Sequence, residues 1–177
     1  MWLLLLMTLA EPPATALPQS LAAPVGILGE FSNMEFTEEH AYGYTVQLWR
    51  QGDRVFGFLE ASEGLAGDTP IGKLEEVKFE PRSGTLSFKA KLTIGLAFAE
   101  SGRQQPSRDL LEFRGNLERA ALVGTLKRWD MLRPNANPVA SQVRLQRRGN
   151  ERMIQARTYA EWKKAADEIL KFRGPKW

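Results

Sequence analysis

The chain has 177 residues, a length that suits one domain, with 43% hydrophobic and 25% charged residues, an ordinary balance for a globular protein. It has no cysteine and one histidine, His40, which excludes disulfides, thiol catalysis, thiolate metal sites and zinc sites built on several histidines. The net charge of +3 is unevenly spread, because residues 1–100 carry 7 Lys or Arg against 13 Asp or Glu, and residues 101–177 carry 17 against 8. The basic half could serve an acidic partner, or the two halves could neutralise each other in the fold.

An apolar run from Trp2 to Ala10 opens the chain, and Ala14-Thr15-Ala16 follows it. The run has the length of a signal-peptide h-region and is too short to span a bilayer. We therefore expect residues 1–16 to be a cleaved signal peptide, the mature chain to have no transmembrane segment, and the protein to be exported to the periplasm or beyond. No Lys or Arg precedes the run, so the alternative is an apolar segment that packs on the domain. Residues 17–25 form an Ala/Pro-rich connector.

Alternating apolar and polar residues mark β-strands through the body of the chain, most clearly from Leu86 to Ile94. We predict eight strands, at residues 27–36, 41–50, 54–62, 71–80, 85–95, 109–117, 120–129 and 140–147. Tight turns separate them, which favours an antiparallel meander. Eight antiparallel strands most often close into a barrel, here over residues 26–148, and a two-sheet sandwich is the alternative.

Three of these strands have a mixed hydrophobic register. Two of them carry a central glycine, Gly57 or Gly124, between apolar residues on both faces, which predicts a β-bulge at each glycine. In the third, Leu74 is out of phase with Val77 and Phe79, which predicts a change of register between them.

The last segment, residues 149–177, predicts a linker and one amphipathic helix packed on the barrel. Thr158 and Glu161 have the spacing of a capping box, and Gly174 with Pro175 ends the helix. One helical face carries the apolar residues Trp162, Ala165, Ala166, Ile169 and Phe172. A helix lying on a membrane surface is the alternative interpretation.

The eight-stranded meander followed by one helix resembles the calycin architecture of lipocalins and related barrels. Gly29-Glu30-Phe31 stands where lipocalins carry a G-x-W motif in the first strand, with phenylalanine in place of tryptophan. The resemblance implies a barrel mouth able to bind a small apolar ligand, or an outer surface used for protein recognition.

Aromatic residues fall mostly in the predicted strands, and Tyr42, Tyr44, Phe88 and Phe113 are the candidate ligand-binding residues if the interior is hollow. The alternative is an interior filled by its own side chains. The chain has no nucleotide-binding or nucleophile motif, so we expect no cofactor and no metal.

Strand carboxylates offer an enzymatic alternative. Glu60, Glu75 and Glu76 could perform acid–base chemistry in a barrel isomerase or cyclase if they face a wet interior. The competing interpretation is that they face solvent and pair with Lys or Arg.

The densest basic stretch begins with Arg144, Arg147 and Arg148, which are the candidate partner-binding residues for an acidic component of the cell envelope. A solvated basic rim is the alternative. Nucleic acid is not expected as a partner, because no aromatic residues are interleaved with these arginines. The sequence therefore predicts an exported, non-catalytic binding protein, with an interaction or inhibitor module acting through the basic rim as an alternative.

Overall fold

The protein folds into a closed barrel of eight antiparallel strands, followed by a C-terminal helix. The computed structural model describes residues 23–65, 69–98 and 102–177, so the predicted signal peptide lies outside the described residues. In chain order the elements are β1 Gly26–Ser32, β2 Glu35–Phe36, β3 His40–Gln51, β4 Arg54–Leu65, β5 Ile71–Glu80, β6 Thr85–Leu92, β7 Leu96–Phe98, β8 Gln104–Pro106, β9 Asp109–Leu117, β10 Ala121–Asp130, β11 Val139–Arg148 and α1 Tyr159–Arg173.

The predicted barrel is confirmed. The strands follow the order β1-β11-β10-β9-β6-β5-β4-β3, and an antiparallel pairing between β1 and β3 closes the ring. Two predicted strands are shorter than expected. The 27–36 stretch breaks at Asn33, whose side-chain oxygen accepts a hydrogen bond from the Tyr44 amide at 2.8 Å. The 85–95 stretch stops at Leu92, and a small hairpin of β7 and β8 follows it.

The middle of the barrel is packed with apolar side chains. Phe88 and Phe113 stack there with ring centroids 5.0 Å apart, and both side chains are buried. The buried members of this interior core are Phe31, Val46, Leu48, Val55, Leu59, Ala61, Leu74, Leu86, Phe88, Ala90, Leu92, Leu111, Phe113, Leu122, Leu126, Val143 and Leu145. Alternate residues of each strand point inward, which explains the period of two in the sequence.

The predicted bulges at Gly57 and Gly124 are wrong, because the strand pairing runs through both glycines without a shift. Glycine is required at residue 57 for another reason: a Cβ there would lie 1.9 Å from the carbonyl oxygen of Gln47. The glycine thus lets β3 and β4 approach closely as the wall curves. The predicted register change in β5 is confirmed, since the pairing shifts between Glu75 and Lys78.

Helix α1 lies on the outside of the barrel over β3, β4 and β5. Its Trp162 is fully buried, with ring centroids 5.5 Å from Trp49, 4.6 Å from Phe56 and 5.2 Å from Phe58. This second core explains the mixed pattern of β4, because the outward-facing phenylalanines are covered by the helix. Phe172 was predicted to belong to the buried stripe, but it is 82% exposed because the stripe leaves the wall before the last turn.

The start of the helix is close to the prediction. The Thr158 hydroxyl accepts a hydrogen bond from the Glu161 amide at 3.2 Å, as in a capping box. The Glu161 carboxylate accepts a hydrogen bond from the amide of Arg157 at 2.8 Å, whereas a capping box predicts the amide of Thr158 as the donor.

Candidate functional site

The contact between the barrel wall and the C-terminal segment is apolar at one end and polar at the other. Near the start of α1, outward-facing Trp49 and Phe58 pack beneath Trp162. Towards the end of the helix, the outward positions of the same strands are occupied by Thr45 in β3 and Glu60 in β4. The apolar cover therefore ends partway along the wall, and the helix and linker stand over polar side chains.

Strand pairing places these polar side chains side by side across four strands. Two rows of cross-strand neighbours cover the wall: Arg148–Glu30–Gln47 on β11, β1 and β3, and Ser32–Thr45–Glu60 on β1, β3 and β4. Directly opposite residues have Cβ atoms about 5 Å apart. The two rows are separated by two residues along β1 and β3, the strands that have a member in both. The closure of the barrel is what brings β11 and β1 next to β3 and β4.

Hydrogen bonds within each row hold the side chains in place. The Gln47 amide nitrogen donates to the Glu30 carboxylate at 2.7 Å, and the hydroxyl oxygens of Ser32 and Thr45 lie 2.8 Å apart. Gln47, Ser32 and Thr45 are all buried although they face away from the barrel interior. Buried polar groups with fixed geometry are the usual components of a specific binding site.

The space between this wall and the C-terminal segment is a groove of about 760 Å³, which we call the wall groove. Its lining beyond the two rows consists of Met34, Phe36, Thr69, Ile71, Gly149, Glu151, Arg152, Ile154, Ile169 and Arg173. Phe36, which pairs with Ala41 at the start of β3, is 66% exposed. The groove thus combines hydrogen-bonding groups, charges of both signs and one open aromatic face.

The environment of Glu60 in the wall groove shifts the pKa of its carboxyl group. Burial raises its pKa, as does nearby Glu30, while Arg173 and Arg152 act in the opposite direction. An Arg173 nitrogen lies 3.5 Å from the Glu60 carboxylate, and the same guanidinium donates two hydrogen bonds to the Thr69 carbonyl, at 3.0 and 2.6 Å. Arg173 therefore ties the end of α1 to the wall at one edge of the groove.

The other two arginines of the groove differ from Arg173. Within residues 23–65, 69–98 and 102–177, Arg148 and Arg152 form no ion pair, and both residues are exposed. Their guanidinium groups supply donors for an anionic group of a ligand.

A second, smaller cavity of about 380 Å³ lies at the barrel mouth, the end where β3 begins and β4 ends. Arg128 projects into it and contacts the Asp109 carboxylate at 2.8 Å and the Glu63 carboxylate at 2.6 Å. Burial, together with Glu63, raises the pKa of Tyr44, which also lines this cavity. The floor of this cavity is therefore an ion-pair network in which the charges of Arg128, Asp109 and Glu63 compensate one another.

The four aromatic candidates from the sequence do not form one site. Phe88 and Phe113 belong to the packed middle of the barrel, whereas Tyr44 lines the mouth. Tyr42 is 49% exposed and stacks on His40 with ring centroids 6.0 Å apart.

The three arginine candidates also separate. Arg148 lines the wall groove, while Arg144 lies outside it, with a nitrogen 3.7 Å from the Glu118 carboxylate. Arg147 donates to the carbonyls of Arg119 and Leu28 at 2.7 and 2.8 Å and covers the ring of Phe31. Arg147 is therefore engaged in holding the barrel closed.

The carboxylate candidates lie on the outer side of the wall. Glu60 belongs to the wall groove, Glu75 is exposed, and Glu76 pairs with Lys89 at 2.7 Å. Asp109, which the sequence analysis did not select, is the buried carboxylate at the barrel mouth. Asp109 alternates in β9 with the inward-facing Leu111 and Phe113, so its inward direction could be predicted from the sequence. Its partner Arg128 could not, because it lies on the adjacent strand, β10.

The described residues contain no cluster of three or more metal-ligating side chains. None of the helices in this part of the chain has the length and apolar character needed to cross a membrane. Comparison with known proteins found no matching family, no similar curated protein and no similar solved structure. The architecture, a closed eight-stranded antiparallel barrel with a C-terminal helix, is calycin-like, and the chain is assigned to no family.

Proposed function

We propose that this chain is an exported, non-catalytic binding protein and that the wall groove is its ligand site. One observation carries the proposal: the contact between barrel and C-terminal segment changes from apolar to polar and opens into a groove of about 760 Å³. A helix that only stabilised the barrel would be expected to cover apolar side chains along its whole length. Buried polar side chains beside an open groove are better explained by a ligand than by stability.

The chemistry of the groove favours binding over catalysis. The hydroxyls of Ser32 and Thr45 hydrogen bond to each other, and that of Ser32 also to the Tyr44 carbonyl; these partners are neutral groups and not catalytic bases. The Glu30 carboxylate is held by Gln47, and Glu60 is paired with Arg173. These groups are arranged to present fixed donors and acceptors.

A thermal-shift screen with a chemically varied panel tests this proposal. The panel contains sugar acids, neutral sugars, amino acids, polyamines and fatty acids, and each hit is repeated with Arg148→Glu and Arg144→Glu. Both arginines lie on β11 and are exposed, but only Arg148 lines the groove. We expect hits that Arg148→Glu abolishes and Arg144→Glu preserves. Hits that respond equally to both variants, or no hits, would contradict a groove site.

The barrel mouth supports a second candidate function, the binding of a small amphipathic ligand. Its cavity of about 380 Å³ joins Tyr44, Leu96 and Val139 to the Arg128 ion-pair network. Leu96 and Val139 are 63% and 68% exposed, so apolar surface surrounds a polar floor. Fatty acids or amines from the same panel whose effect disappears in Tyr44→Ala, but survives in Arg148→Glu, would favour this site.

A further inference from the structure

We infer that the ligand of the wall groove is a saccharide that carries carboxylate groups, of the uronic acid type. The inference rests on the proposed function, because it assigns a ligand class to the same groove. Three features of the groove carry it: the two rows of hydrogen-bonding side chains, the arginines at one side and the open ring of Phe36.

The wall presents side-chain acceptors and donors next to one another on adjacent strands. Glu30 and Gln47 are direct cross-strand neighbours and are joined by a hydrogen bond of 2.7 Å. A carboxylate accepts from hydroxyl groups, and a side-chain amide can both donate and accept. Glu60, in the second row, adds a further carboxyl group, which can accept or, when protonated, donate. Adjacent hydroxyls of a sugar ring are the ligands that match such a row.

An anionic group on the same ligand would satisfy the arginines. Arg148 is the cross-strand neighbour of Glu30, and Arg152 lies close enough to Glu60 to influence its pKa. Guanidinium groups bind carboxylates through two parallel hydrogen bonds. A ligand with both hydroxyls and a carboxylate therefore contacts the acidic wall and the basic side of the groove at once.

Phe36 gives the groove an apolar platform. Its ring is 66% exposed and lines the groove, and it belongs to the two-residue strand β2. An exposed ring on a short strand contributes little to folding. The apolar face of a sugar ring can pack on it while the hydroxyls at the ring edge reach the wall.

Other ligand classes fit less well. An extended peptide cannot be added as a further strand at the groove wall, because residues 30, 32, 45, 47 and 60 are each paired with a neighbouring strand on both sides. A wholly apolar ligand would leave the guanidinium groups of Arg148 and Arg152 without an anionic partner.

Calorimetric titration with three matched probes tests the inference: trigalacturonate, the neutral trisaccharide of galactose, and a tripeptide of glutamate. We expect trigalacturonate to bind most tightly and the neutral trisaccharide more weakly. Arg148→Gln and Arg152→Gln should weaken trigalacturonate binding about tenfold or more, whereas Arg144→Gln should have no effect. Phe36→Ala should weaken both saccharides. Far-UV circular dichroism and thermal unfolding show that each variant is folded.

The outcomes separate this inference from the proposed function. Equal loss of trigalacturonate binding in Arg148→Gln and Arg144→Gln would overturn the inference. Tighter binding of the glutamate tripeptide, or an Arg148-dependent hit of another class in the thermal-shift panel with no saccharide binding, would also overturn it while leaving the groove as a ligand site. Absence of any Arg148-dependent ligand would remove both.

Discussion

Replacement of Trp162 by alanine tests whether the C-terminal helix is an integral part of the fold. Trp162 is fully buried against Trp49, Phe56 and Phe58. A buried tryptophan removes about 150 to 250 Å² from water, which at about 25 cal/mol per Å² corresponds to roughly 4 to 6 kcal/mol. Measured tryptophan-to-alanine changes in cores cost about 3 to 5 kcal/mol. We therefore expect Trp162→Ala to lower the free energy of unfolding by about 4 kcal/mol.

Urea unfolding followed by far-UV circular dichroism and by tryptophan fluorescence measures this change. Phe172→Ala is the matched control, because it also removes an aromatic ring from α1, but that ring is 82% exposed. The control should change the free energy of unfolding by less than about 0.5 kcal/mol. If both variants lost the same stability, the packing of the helix on the barrel wall would be refuted.

Three further predictions concern the barrel and its groove. Gly57→Ala should lower the free energy of unfolding in urea by about 2 kcal/mol, because the alanine Cβ would meet the backbone carbonyl of Gln47. Gly64→Ala is the control and should be nearly neutral, because the space around residue 64 is open. Burial raises the pKa of Glu60, so its ionisation costs more in the folded than in the unfolded state. The stability of Glu60→Gln relative to wild type should therefore rise as the pH increases from 4.5 to the raised pKa of the folded state and then stay constant. A difference that is flat or falls from the start of this interval would contradict the prediction. Arg147→Gln should lower the free energy of unfolding by about 1 to 2 kcal/mol, because it loses hydrogen bonds to two backbone carbonyls. Arg144→Gln loses one exposed ion pair and should lower it by less than about 0.5 kcal/mol. Equal losses would contradict the role of Arg147 in holding the barrel closed.

The architecture was predictable because the periodicity of single strands records which face is buried. The alternation from Leu86 to Leu92 and from Leu111 to Leu117 fixed both strands and their inward faces. The short turns between the strands then favoured a meander, whose closure the pairing of the first strand, β1, with the last, β11, confirms. The capping residue Thr158 fixed the start of the helix in the same local way.

The mixed pattern of β4 could not be interpreted correctly from its own residues. Phe56 and Phe58 face outward beneath Trp162, which is more than one hundred residues later in the chain. Without that contact, the apolar residues on both faces indicated a bulge at Gly57. A cover supplied by a distant helix produces the same local pattern as a bulge, and only the tertiary structure distinguishes them.

The candidate site was predictable only in part, because it depends on barrel closure. Arg148 was selected from the sequence for its charge, and it does line the wall groove. Glu30 and Gln47 appeared as ordinary outward-facing strand residues. They lie side by side because β1 pairs with β3, and Arg148 joins them because barrel closure places β11 along the other edge of β1. Burial beneath the linker and helix, which distinguishes them from solvent-facing residues, is a property of the folded chain.

Backbone NMR shift mapping, with the ligand that emerges from the panel, tests directly whether the wall groove is the binding site. A ligand in the wall groove should cause saturable shifts in the amides of residues 30, 32, 45, 47, 60 and 148, with little change around Tyr44 and Arg128. Saturable shifts confined to the barrel mouth, or no saturable shift in the groove, would contradict the assignment of the wall groove as the binding site.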